Sequence, residues 1–200
     1  MIGTALFVAV FSVEGWLRPG YVVRSSFVSA LALGPRGWIQ ISNFLVLGSL
    51  FLLFARGVAA EFREGKASKA GWTLFTIIGL AFAASGPLVM DPFNTAREEM
   101  SWHGILHGLF GALVFSLGPA SCFVLYRRFR EDPAWRSLAP WTLLAGIVST
   151  AAVLLLRVGP SRSPAPLNVF NDWAGAIQRV ALISFLAWIF TFARALRRRV

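Results

Sequence analysis

Apolar residues run along this chain in long, almost unbroken blocks, not in the stripes of a soluble amphipathic helix. Six blocks stand out, at about 1–17, 38–58, 71–90, 102–126, 139–156 and 173–196. A helix needs roughly 17–25 largely apolar residues to cross the hydrocarbon core. The last five blocks reach that length and the first is marginal. The pattern predicts an all-α polytopic membrane protein in which six transmembrane helices form one bundle and one domain over 1–200. With no cationic stretch ahead of it, the first block reads as a short span and not as a cleaved signal peptide.

The connections carry their own signals. In the first, Val22, Val23, Phe27, Ala30 and Leu31 have helical spacing and predict a short helix lying on the membrane surface. The fifth, with Pro160, Pro164 and Pro166, is expected to be irregular. Pro87 and Pro119 fall inside blocks and are expected to kink them. Gly104, Gly108 and Gly111 have the near four-residue spacing that lets helices approach closely, which predicts a central place for the fourth helix.

Composition supports a membrane setting. The chain is 56% apolar and only 14% charged, where a soluble domain carries about 25% charged residues. Its net charge of +10 does not signal nucleic acid, because the basic residues sit at block ends, as topology determinants do. Twelve of them (Arg56, Arg63, Lys66, Lys69, Arg127, Arg128, Arg130, Arg136, Arg194, Arg197, Arg198 and Arg199) fall on the side of both termini. Six (Arg18, Arg24, Arg36, Arg97, Arg157 and Arg162) fall on the other. That bias places both termini in the cytoplasm, although the charges around the first block alone point the other way. Trp16, Trp38, Trp102 and Trp173 mark outer ends, and Trp72, Trp135 and Trp141 inner ends, of an aromatic belt. The lone Cys122 excludes an intrachain disulfide and reads as a small apolar filler.

The polar residues inside the blocks are the candidate chemistry, since such groups are costly at membrane depth. Glu14, Gln40, Asn43, Asp91, His103, His107, Gln178 and Arg179 come from five blocks and all fall near the outer ends. They predict a shared polar pocket open to the extracytoplasmic side. His103 and His107, the only histidines, lie one turn apart. With Asp91 or Glu14 they could ligate a divalent metal such as zinc and activate a water. The plainer alternative is that each imidazole hydrogen-bonds a neighbour or handles a proton. Both lie on one helix and cannot take opposite faces of a haem. Arg179 is expected to pair with Glu14 or Asp91, Gln40 and Asn43 to join helices, and Asp91-Pro-Phe-Asn94 to form a turn at a helix end.

Taken in order, Arg18-Pro-Gly-Tyr21, Ser29-Ala-Leu-Ala-Leu-Gly-Pro35, Gly37-Trp-Ile-Gln40, Asn43-Phe44, Asp91-Pro92, the His103/His107 helix, Arg127-Arg-Phe-Arg-Glu-Asp-Pro-Ala-Trp-Arg136 and Gln178-Arg179 form a set. The set resembles the prokaryotic membrane family called domain of unknown function 998 over nearly the whole chain. The resemblance implies a multi-helix protein of the cell membrane with no established activity. Where such proteins often carry Tyr-Asp after the Arg-Pro-Gly turn, this chain has Tyr21-Val22. Membrane-embedded metal hydrolases of the ceramidase type share less, since they use three histidines on seven helices.

Three readings of function follow. The first is a non-catalytic pocket for a lipid head group or small polar ligand, alone, as a homo-oligomer or as a subunit of a membrane complex. The second is a metal-dependent hydrolase using His103, His107 and an acid. The third is a small transporter, which the apolar inner halves of the blocks disfavour.

Overall fold

The computed structural model describes residues 1–158 and 169–199. Among them are six α-helices and no strand: α1 Ile2–Leu17, α2 Gly37–Glu61, α3 Ser68–Ser85, α4 Trp102–Glu131, α5 Ala139–Val158 and α6 Val169–Arg197. Helices α2, α4, α5 and α6 are long and apolar enough to cross a membrane, and α1 is a shorter apolar helix. By length and composition the chain is a helical membrane protein. The prolines of the α5–α6 connection and Arg162 lie outside the described residues.

The helices form a ring. Each packs on the next in chain order, and α6 closes back on α1. The expected central place for α4 is therefore wrong: it is one member of the ring, between α3 and α5. The tightest crossing lies elsewhere, between α2 and α3. A Cβ on Gly48 would lie 2.5 Å from the Ala83 backbone nitrogen, and one on Gly79 would lie 3.0 Å from the Gly48 carbonyl oxygen. In lipid, helices associate by such contact and by interhelical hydrogen bonds, since hydrocarbon surroundings offer no hydrophobic drive.

Inside the ring runs a column of aromatic rings. Phe7, Phe44, Phe82, Phe51, Phe75 and Phe192 follow one another at centroid separations of 5.5 to 6.4 Å. These tilted and stacked pairs fill volume with stiff side chains. Polar bonds tie α5 to α6: Trp188 Nε1 donates to Thr142 Oγ1 at 2.8 Å, and the hydroxyls of Ser149 and Ser184 are 3.2 Å apart. Trp135 is not an interfacial anchor. It is 2% exposed, stacks on Phe129 and donates to Glu61. Trp16, Trp38 and Trp102 are well exposed, as anchors require. Cys122 is fully buried.

Two elements depart from expectation. The third block does not stay helical to residue 90, because α3 stops at Ser85. Gly86 still has right-handed helical dihedrals, and the helix ends where Pro87 brings no backbone N–H to continue the ladder. The chain from 86 to 101 then runs without α-helix, apart from a 3-10 turn at Arg97–Glu99. Helix α4, by contrast, continues unbroken through Pro119. The first loop carries no surface helix either. Only Val28–Ala32 winds into a 3-10 turn, and Val28 and Leu31 are buried, folding the loop over one end of the ring. That loop end also holds the N-terminus of α4 and the candidate polar residues.

Candidate functional site

Glu14 is the buried acid of the loop end, 3% exposed near the last turn of α1. Arg36 grips it with two bonds, Nε to Oε1 at 2.9 Å and Nη2 to Oε2 at 2.6 Å. Arg18 adds a third at 3.0 Å, and its other terminal nitrogen donates to the Leu33 carbonyl at 2.9 Å. A buried carboxylate is tolerated when charged donors replace its lost water. The two arginines bracket the loop, so the cluster ties its start and finish to α1.

Among the described residues Arg179 pairs with no acid, contrary to expectation. Its Nη1 donates to the carbonyls of Val23, Ser26 and Gly175 at 2.8 to 2.9 Å. Its Nη2 donates to the Tyr21 hydroxyl at 2.6 Å, and that hydroxyl donates on to the Phe27 carbonyl at 2.9 Å. Burial pushes the Tyr21 phenol up, against the opposing pull of Arg179, so it remains a donor at neutral pH. The loop carbonyls turn inward and meet the cation, which removes the need for a carboxylate. Arg179 and Glu14 are thus two fasteners of the same loop.

The amides do join helices. Asn43 Nδ2 donates to the Phe7 carbonyl of α1 at 3.1 Å and to Gln40 Oε1 at 3.2 Å. Gln178 Oε1 accepts from the Val28 backbone nitrogen at 2.7 Å, holding the loop's buried turn on α6.

Asp91 lies six residues beyond the end of α3, in the segment leading to α4. It accepts from Ser101 twice, Oδ2 from the backbone nitrogen at 2.9 Å and Oδ1 from the hydroxyl at 2.7 Å. Ser101 caps α4 by accepting from the Gly104 nitrogen at 3.0 Å. The acid therefore positions the cap. His103 and His107 fasten the same segment. Nδ1 of His103 is 2.8 Å from the Val89 carbonyl, and Nδ1 of His107 is 2.7 Å from the Leu88 carbonyl. A carbonyl only accepts, so each Nδ1 carries a proton and donates it there.

A pocket of about 340 Å³ opens beside α4. Gly104, His107, Gly108 and Gly111 form one wall, and Phe27, Ser29, Met90 and Asp91 another. Val153, Leu156 and Arg157 at the end of α5 form a third, with Gln178 contributed by α6. Gly108 and Gly111 are not packing glycines: a Cβ on either would meet nothing within 4 Å. Their missing side chains leave pocket space. A narrow cleft sharing His107, Gly111 and Gln178 leads inward to Ser85 and Phe82.

Of the eight candidate residues, the structure brings Asp91, His107 and Gln178 together around this pocket. Glu14, Gln40, Asn43, His103 and Arg179 lie outside its lining and hold helices, loop and segment in place. Arg157, which the sequence marks only as a loop charge, also lines the pocket, with Nη2 2.6 Å from the Ser116 hydroxyl. Its sequence signal was an arginine ending a block without a nearby acid.

The donor set does not fit a metal centre. Among the described residues no three of His, Cys, Asp and Glu group as ligands. His107 lines the pocket and His103 does not, so the pair does not converge there.

These features define a helical membrane protein whose polar residues chiefly fasten an end cap, with one amphipathic pocket beneath it. The chain belongs to the family described as protein of unknown function DUF998, which matches residues 1–195. No curated protein and no solved structure matches it.

Proposed function

We propose that this chain crosses the cell membrane six times, with both termini cytoplasmic, and holds an amphiphile by its polar head in the extracytoplasmic pocket beside α4. The excess of Arg and Lys near the termini and the even-numbered loops supports the orientation. The observation that carries the pocket is the open space at Gly108 and Gly111. Gly108 is exposed and Gly111 half-buried, and both line the recess, so their missing side chains leave a hollow on the bilayer side of α4 that an amphiphile can fill. The wall chemistry suits a lipid: mostly apolar, with Asp91, His107, Arg157 and Gln178 as a polar minority. Its size falls in the roughly 300–1,000 Å³ range of ligand sites. Gly108 and Ala112 are exposed on the outer face of α4, so an acyl chain can enter sideways from the bilayer.

A hydrolytic reading has less support, because the histidines are engaged through Nδ1 by carbonyls and only one of them faces the pocket. The test of the binding reading is native mass spectrometry of the purified full chain. Wild type should retain phospholipid through mild detergent exchange, and Gly108→Leu, which fills the space, should lose most of it. Equal retention by the two contradicts the reading.

A further inference from the structure

The pocket contains an acid and a base that do not meet. Asp91 and Arg157 both line it, but no ion pair joins them among the described residues. Arg157 is exposed at the pocket mouth and Asp91 is half-buried, so each charge is within reach of a ligand entering from outside. Among the described residues no side chain of opposite charge neutralises either one, and there Asp91 accepts from the uncharged Ser101. Arg157 donates to a hydroxyl, and the ten residues 159–168 that follow α5 contain no Asp or Glu. A carboxylate has about four acceptor positions and a guanidinium five donors, so each has capacity to spare.

Resting on the binding reading above, we infer that the occupant is a zwitterionic phospholipid whose head carries a phosphate and a primary ammonium. The phosphate lies against the Arg157 guanidinium, which suits its planar fork. The ammonium donates to Asp91. A quaternary ammonium has no N–H to give, and a glycerol head has no positive charge. The site therefore discriminates both from the primary amine.

Native mass spectrometry of the full chain with an equimolar mixture of phosphatidylethanolamine, phosphatidylcholine and phosphatidylglycerol tests this. Wild type should retain the ethanolamine lipid about tenfold over each of the others, the size of one charge-assisted contact. Asp91→Asn should erase the preference over phosphatidylcholine, and Arg157→Gln should lower retention of all three lipids. Should Asp91→Asn fail to fold, wild-type selectivity and Arg157→Gln still decide the matter. Equal retention of the three lipids, or preference for phosphatidylglycerol, overturns the head-group assignment. If Gly108→Leu still depletes lipid in that case, the pocket reading survives it. If Gly108→Leu depletes nothing, both fall.

Discussion

The carboxylate of Asp91 stands where a side chain on Gly104 would have to go. A Cβ at 104 would overlap Asp91 Oδ2 and crowd its Cγ. Glycine is required here by the space a neighbouring carboxylate occupies and not by backbone conformation. Through Ser101 the same carboxylate sets the cap of α4. Gly104→Ala should therefore displace Asp91 and loosen the helix start. We expect a loss of about 1–3 kcal/mol, typical of overpacking a filled site. A fall in apparent melting temperature of the detergent-solubilised protein checks it, and an unchanged temperature counts against it.

Glycines at other positions should answer differently. Gly48→Ala places a Cβ 2.5 Å from the Ala83 nitrogen and 2.6 Å from the Gly79 carbonyl, wedging α2 from α3. Gly111→Ala meets nothing. The first should lower yield and melting temperature markedly, and the second should leave stability unchanged or slightly raised through helix propensity. Equal effects would mean that the α2–α3 crossing is looser than described.

Glu14 should couple to Arg36 and not to Arg179. Removing one member of a buried pair costs about 3–5 kcal/mol when a charge is left behind. Arg36 is half exposed, so Arg36→Ala should cost less than Glu14→Ala. A double-mutant cycle on thermal stability should give a clear interaction for Glu14 with Arg36. With Arg179 the two changes should add within about 0.5 kcal/mol. A strong Glu14–Arg179 interaction would restore the pairing that the sequence suggested.

That pairing shows where sequence reading stops. The apolar blocks declared the helices, because periodicity and length are local properties. Which polar groups meet is not local. Arg18 and Arg36 looked like topology charges and are the partners of Glu14. Arg179 looked as if it needed an acid and finds two loop carbonyls and one of its own helix. Backbone acceptors have no letter in a sequence, so a cation that binds them reads as unpaired. The same blindness merged eight polar residues into one pocket, since their shared depth was visible and their azimuth around each helix was not. It also misread Gly108 and Gly111 as contact surfaces, because glycine spacing cannot tell a neighbour from a void.

Alkaline pH should loosen the loop through Tyr21. Burial raises the folded phenol above its ordinary value near 10.0. The unfolded phenol therefore deprotonates first. Its contribution is intact below pH 10.0 and is lost as pH rises through the higher folded value. Tyr21→Phe should lower stability at pH 8 by about 1 kcal/mol, one net hydrogen bond. It should also flatten the alkaline limb relative to wild type. Parallel alkaline limbs would show that Tyr21 does not carry this dependence.

Lipid occupancy of the pocket is tested most directly by photo-crosslinking in native membranes. A phospholipid with a diazirine in its acyl chain is incorporated, irradiated, and its attachment sites are mapped by peptide mass spectrometry. Labelling should concentrate on Gly108–Phe115 of α4 and Val153–Arg157 of α5, and Gly108→Leu should reduce it there while sparing other surfaces. Labelling spread evenly over the exposed faces of α1, α2 and α6, and indifferent to Gly108→Leu, would contradict a pocket-bound lipid.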